Sequence, residues 1–276
     1  MGKGAEYIVG MGMFWSASQA LAGPAFTAEA VHMSPGQPTE TGRVFISEQG
    51  SRFEFERHGR AVVQMTLPGQ GLVRTVFPAD KTYVEMTQPP QTAERPATPC
   101  PPPAVARCER TGTETLDGRA VEVWKITLNP LPGQDASTDS LQIWWDAEHK
   151  LAAREQYPDG GTSTVVLRGR IDYEGRSVEH WQMTMTSSKG KTMQMARWHD
   201  PELQTDVREE HANGAVRAFR NIRLVAPDPA WFSVPAGYRR INPQAAYREP
   251  QEPSSKGMPS GKAPAETPGG YPLAEP

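Results

Sequence analysis

Four shortages in this sequence each remove a class of protein. Its 276 residues carry a formal net charge of −3 and a pI near 6.1. With no basic surplus the chain has little to offer a phosphate backbone, so nucleic acid is not an expected partner. No window of about 12 or more residues repeats apolar side chains at i, i+3, i+4 and i+7, which excludes an architecture of amphipathic helices. The apolar stretch from Ile8 to Ala17 contains two glycines and is far shorter than the roughly 20 residues a membrane helix needs. Catalytic motifs are missing too: there is no Gly-x-Ser-x-Gly elbow and no glycine-rich phosphate loop. No enzyme activity and no cofactor are expected.

Cysteine is scarce as well. Cys100 and Cys108 stand alone, close together in CPPPAVARC. In an exported chain that proximity predicts a local disulfide, closing a small loop worth roughly 2–3 kcal/mol in the chain-entropy account. The alternatives are two free thiols or half of a metal site, but with no nearby histidine the pair cannot supply the four ligands zinc normally takes.

Proline, by contrast, is plentiful at 27 residues, about twice the usual share, and points to many turns and tails. The first residues read as an export signal: Lys3, the apolar stretch, then Ser18-Gln19-Ala20-Leu21-Ala22 with small residues at −3 and −1, which sets residues 1–22 as a cleaved signal peptide and the mature chain as periplasmic. A true N-terminal helix is the alternative. Residues 244–276 hold seven prolines and four glycines without apolar periodicity and read as a disordered tail. A proline-rich loop, 88–107, interrupts the middle. Between these lies a single β domain, 23–243.

Within it the pattern alternates as strands do. Phe53 and Phe55 in RFEFE face one way, Arg52, Glu54 and Glu56 the other; LVRTVF and KTYVEM follow with a Pro-Ala-Asp turn between them. The strongest signal is a repeat. LDGRAVEVW at 116–124 is written again as YEGRSVEHW at 173–181, an offset of 57. Beyond a three-residue gap, Trp144 and Asp146 match Trp198 and Asp200, and Arg154-Glu155 match Arg208-Glu209. Two homologous meanders, about 114–168 and 171–224, are therefore predicted in one antiparallel sheet. Residues two apart share a face, so Trp124 and Trp181 are expected on one side, with Trp144, Trp198, Met193 and Met195 gathered nearby.

Taken in order, FTAEAVHMSPGQPTETGRVFISEQGSRFEFE, VFPADKTYVEM, the two GR-VE-W units, WHDPELQTDVREEHANG, FRNIRL and WFSVPAGYRRI resemble the periplasmic lipoprotein-carrier (Lol) superfamily, in particular its uncharacterised lipoprotein-sorting-like members. The resemblance spans about residues 25–241. It implies a strongly curved antiparallel sheet, an open half-barrel, whose concave face takes acyl chains beneath short lid helices. This chain departs from that pattern in having no recognisable lid helices, and in carrying a proline-rich loop with a cysteine pair.

His199 and His211, with Asp200, Glu209 and Glu210 adjacent, could approach one another across a hairpin, but no ligand spacing recurs and no metal is expected. Asp146/Arg154 and Asp200/Arg208, each eight apart across a turn, predict cross-strand ion pairs. The expected ligand-binding set is Phe53, Phe55, Met65, Trp124, Trp144, Trp181, Met183, Met193, Met195 and Trp198. An open sheet face must be covered by something, and with helices scarce a lipid, lipoprotein acyl chains or another envelope protein becomes the expected partner.

Overall fold

The computed structural model describes residues 23–88, 97–130 and 140–242. The expected signal peptide and tail, and parts of the proline-rich loop, lie outside those residues. The fold is mainly β, one large curved sheet, antiparallel except for its short last strand, left open as a half-barrel. Among the described residues helix is confined to three short 3-10 turns, Pro68–Gln70, Pro78–Asp80 and Pro229–Phe232.

In chain order the strands are β1 (Phe26–Met33), β2 (Glu40–Ser47), β3 (Gly50–Arg57), β4 (Arg60–Leu67), β5 (Leu72–Phe77), β6 (Thr82–Thr87), β7 (Ala106–Leu116) and β8 (Arg119–Leu128). They continue as β9 (Ser140–Asp146), β10 (Leu151–Gln156), β11 (Thr162–Tyr173), β12 (Arg176–Thr186), β13 (Thr192–Asp200), β14 (Thr205–Glu210), β15 (Val216–Arg223) and β16 (Arg239–Arg240). Their order across the sheet is β16-β6-β5-β4-β3-β2-β1-β15-β14-β13-β12-β11-β10-β9-β8-β7. Two meanders are thus joined where β1 pairs β15, and β6 and β7, consecutive in the chain, lie toward opposite edges.

That topology forces curvature. Fourteen inter-strand steps separate β6 from β7, roughly 67 Å along the sheet at about 4.8 Å each. The chain from Thr87 to Cys100 reaches at most about 45 Å, and the disulfide holds Cys100 within 6.0 Å, Cα to Cα, of Cys108 in β7. The two ends of the sheet must therefore curl toward each other.

The backbone contains a third copy of the repeat, which the sequence comparison missed. The tight turns His58-Gly59, Asp117-Gly118 and Glu174-Gly175 all place both residues in the left-handed region, with φ of 50 and 70, 49 and 77, 52 and 78. This is the type I′ hairpin whose twist matches that of its strands, and it favours glycine second. Each turn is followed by an arginine, and each arginine pairs with an aspartate at the next turn but one: Arg60 with Asp80, Arg119 with Asp146, Arg176 with Asp200. Left-handed Lys81, Lys150 and Gln204 then close those same third turns. The copies are β3–β6, β7–β10 and β11–β14. Met65 stands where the other two carry Trp124 and Trp181, which hid the first copy from a comparison keyed on tryptophan.

Buried clusters follow the copies. The largest joins Phe26, Val44, Ile46, Phe53 and Phe219 with Val178, Trp198, Leu203 and Val207. The C-terminal segment covers part of the sheet: Phe232 packs on Phe45 and Leu67, and Val234 and Tyr238 on Val63, Met65 and Val76.

Candidate functional site

The register decides which expected site residues share a face. Trp124 stands opposite Ile143, Ile143 opposite Glu155, Glu155 opposite Ser163, Ser163 opposite Met185 and Met185 opposite Met193. Alternation along β12 adds Met183 and Trp181, and Met195 pairs Met183. A second row runs from Trp181 through Arg197, Glu209 and Arg217 to His32 on β1. The same face of β1 meets Phe53 and Phe55 by way of Val44 and Gly42. Seven of the ten expected residues therefore share one face: Phe53, Phe55, Trp124, Trp181, Met183, Met193 and Met195.

The other three do not. Trp144 pairs Val123 and Arg154, in a row adjacent to that of Trp124, and so points to the opposite side. Trp198 pairs His180, one residue out of phase with Trp181, and Met65 pairs Arg52, out of phase with Phe53. The expectation that Trp144 and Trp198 join the side of Trp124 and Trp181 is corrected. Their sequence positions lie in a second strand of each repeat, whose phase relative to the first depends on a hairpin length the pattern does not show.

The expected ion pairs also need correction. Asp146 is taken by Arg119 at 2.5 Å and by His149 Nδ1 at 2.9 Å, and Asp200 by Arg176. Each aspartate also accepts two backbone N–H groups of its own turn, from residues 148 and 149 or 202 and 203. Arg154 and Arg208 instead lie over the indoles of Trp144 and Trp198, 4.6 and 5.2 Å from the ring centroids. Bulges one residue ahead of each arginine displace it from the aspartate's row and aim it at the ring.

On the shared face, several aromatics are already covered. Trp181 is 4% exposed, with Arg119 5.4 Å and His149 5.1 Å from its ring centroid. The turn end of one copy thus caps the tryptophan of the next. Phe53 stacks on Phe219 at 6.5 Å in the main core. Trp124 is half-buried and donates from Nε1 to Glu122. Its neighbour on that face, Trp145, is buried and donates to the carbonyl of Ala97, so the loop carrying Cys100 lies over this end. The sulfurs of Cys100 and Cys108 form the expected disulfide.

What stays open is the methionine stripe. Met183, Met185 and Met195 are half-buried and Met193 is 46% exposed. Met185, absent from the expected set, pairs directly with Met193; the alternation Trp181-Met183-Met185 was the signal for it. At the stripe's outer end, the turns after β10 and β12 frame a hollow of about 670 Å³, lined by Tyr157, Met185, Met193 and Lys191 among others. The Tyr157 hydroxyl donates to Glu155 at 2.6 Å, which pushes its pKa up to about 12.

His199 and His211 engage different carboxylates, Asp206 at 2.9 Å and Glu209 at 3.6 Å. Among the described residues no group of three or more His, Cys, Asp or Glu is placed to hold a metal. No helix of the described residues is long and apolar enough to cross a membrane.

These features define an open, curved antiparallel sheet with one partly uncovered apolar face. No family model matches the sequence, and no curated protein matches it. Among solved structures the chain is similar to a DUF1329 family protein from Desulfovibrio piger, with 12% identity, a TM-score of 0.32, and coverage of 77% of this chain and 90% of that one. It is similar to a LolA superfamily protein from Nitrosomonas europaea, at 11% identity and a TM-score of 0.32, over 77% of this chain and 91% of that one. A third similarity is to the MucA/MucB complex of Pseudomonas aeruginosa, at 10% identity and a TM-score of 0.21, over 76% and 96%. Likeness at this level leaves function to be argued from the chain's own geometry.

Proposed function

We propose that the chain is a noncatalytic periplasmic binding protein, carrier-like in the sense of the Lol superfamily, that holds an apolar ligand, a lipid or the acyl part of a protein, against the methionine stripe of β12 and β13. The carrying observation is the paired register Met183–Met195 and Met185–Met193 on one partly exposed face. Methionine is unbranched and polarizable and adapts to loosely shaped chains, and exposed contiguous apolar side chains mark binding surfaces more often than idle ones. The Cys100–Cys108 disulfide agrees with an oxidising compartment. The mechanism is sequestration, with no bond made or broken.

Organic-solvent extraction of the purified protein followed by mass spectrometry tests this reading. Copurifying lipid that is lost from a Met185→Asp/Met193→Asp variant supports it; equal recovery from both proteins overturns it.

A second reading, an envelope interaction module, draws on β7. Among the described residues this strand of 11 residues pairs with β8 alone, and it is exposed along most of its length, a geometry suited to the addition of a partner strand. Capture of a partner that a proline at Thr113 abolishes, without any copurified lipid, favours this reading.

A further inference from the structure

The hollow at the end of the methionine stripe carries a charge that an apolar ligand alone does not explain. Two turns of the same kind stand side by side there, Tyr157–Gly161 and Ser187–Lys191, each closed by a backbone hydrogen bond between its ends. Between them the wall changes character along one line. Met185 and Met193 form its apolar floor, and Tyr157 its side. Lys191 stands at the rim, exposed, with no carboxylate in ion-pair range among the described residues. The hollow's own carboxylate, Asp159, is turned to the backbone N–H of Gly161 at 2.9 Å.

The apolar floor does not stop at the hollow. It continues inward through the Met183–Met195 pair toward Trp181, about 14 Å from Met185 to Trp181 at the rise of a strand. An unbranched chain laid along the floor would place its end group beside the Lys191 ammonium. At about 670 Å³, the hollow falls within the roughly 300–1,000 Å³ range of small-molecule sites.

We propose that the hollow binds the head of a single-chain anionic amphiphile, a long-chain carboxylate, with the chain lying along the methionine stripe and the carboxylate held by Lys191. This rests on the apolar binding proposed above and specifies its ligand class. The chain supplies most of the affinity through buried area. The lysine supplies selection, since an exposed charge pair contributes modestly and is weakened by salt.

Calorimetric titration of the full chain with oleate and, separately, with oleyl alcohol tests it, using wild type, Lys191→Glu and Met193→Asp. The expected result is oleate binding that Lys191→Glu weakens about five- to tenfold, with oleyl alcohol binding unchanged by that substitution. Met193 is 46% exposed, so aspartate there should leave the fold intact, and Met193→Asp should weaken both ligands. Equal response of both ligands to Lys191→Glu overturns the assignment of the head group but leaves apolar binding standing. Failure of wild type to bind either one overturns both.

Discussion

Arg119 donates to Asp146 across the hairpin ends at 2.5 Å while its guanidinium lies over the ring of Trp181, so one side chain ties a turn within its own copy and caps the tryptophan of the next. The equivalent Arg176–Asp200 pair is equally enclosed, whereas Arg60–Asp80 is open to solvent. Side-chain exposures are 15% and 2% for the first pair against 63% and 49% for the third. Breaking an enclosed pair strands a desolvated charge, at about 3 kcal/mol or more; breaking an exposed one costs under about 1 kcal/mol. Arg119→Met and Arg176→Met should each lower the urea midpoint markedly, and Arg60→Met scarcely. Comparable losses for all three would show that enclosure does not govern these pairs.

This gradation explains what the sequence could and could not reveal. Alternation in RFEFE and in Trp181-Met183-Met185 carried the strand assignment and the face within each strand, because period two is a local property. The phase between strands is not local. It depends on hairpin lengths and on bulges at Ala153 and Val207, and a shift of one residue moves a whole strand's side chains across the sheet. Trp144 and Trp198 were misplaced for that reason, and Arg154 and Arg208 were assigned the wrong partners. The third copy was hidden because Met65 replaces tryptophan, although its Gly-Arg turn was legible at Gly59-Arg60.

Stacking of Arg154 on Trp144 leads to a second test. A double-mutant cycle between Arg154 and Trp144 should show coupling of about 0.5–1 kcal/mol, the scale of a partly exposed cation–ring contact. The cycle between Arg154 and Asp146 should show coupling near zero. The reverse pattern would restore the cross-strand ion pair.

Asp146 also makes acid stability predictable in sign. Burial alone would raise its pKa, but the backbone and side-chain hydrogen bonds from His149, with the charges of His149 and Arg119, outweigh burial and hold it below the ordinary value of 3.8. A carboxyl depressed on folding contributes stability that is present above pH 3.8 and lost as pH falls through its lower folded value. Asp146→Asn should therefore reduce stability at neutral pH and flatten the acid limb below pH 3.8. Thermal unfolding as a function of pH checks this, and parallel curves for the two proteins would refute it.

At the hollow, Tyr157 should titrate late. Its hydroxyl donates to Glu155, and that bond, reinforced by burial and by the carboxylate's charge, raises its pKa from 10.0 to about 12. The difference absorbance between wild type and Tyr157→Phe should report a phenol that ionises near pH 12, and Glu155→Gln should return it toward 10.0. The phenol's contribution to stability is present below pH 10.0 and lost as pH rises through about 12. Ionisation near the ordinary value in wild type would mean that the Glu155 bond does not form in solution.

The disulfide should matter beyond the loop it closes. Cys100 and Cys108 are eight residues apart, and in the chain-entropy account a loop of that size contributes about 2–3 kcal/mol. The bond also fixes the edge strand β7 to the segment whose Ala97 carbonyl accepts from Trp145. The Cys100→Ser/Cys108→Ser variant should therefore lose stability and, in addition, expose Trp145 to a soluble quencher under conditions where the protein is still folded. The second readout separates the two roles. A shifted urea midpoint with unchanged quenching would mean that the bond acts only on the unfolded chain, and that the loop stays over Trp145 without it.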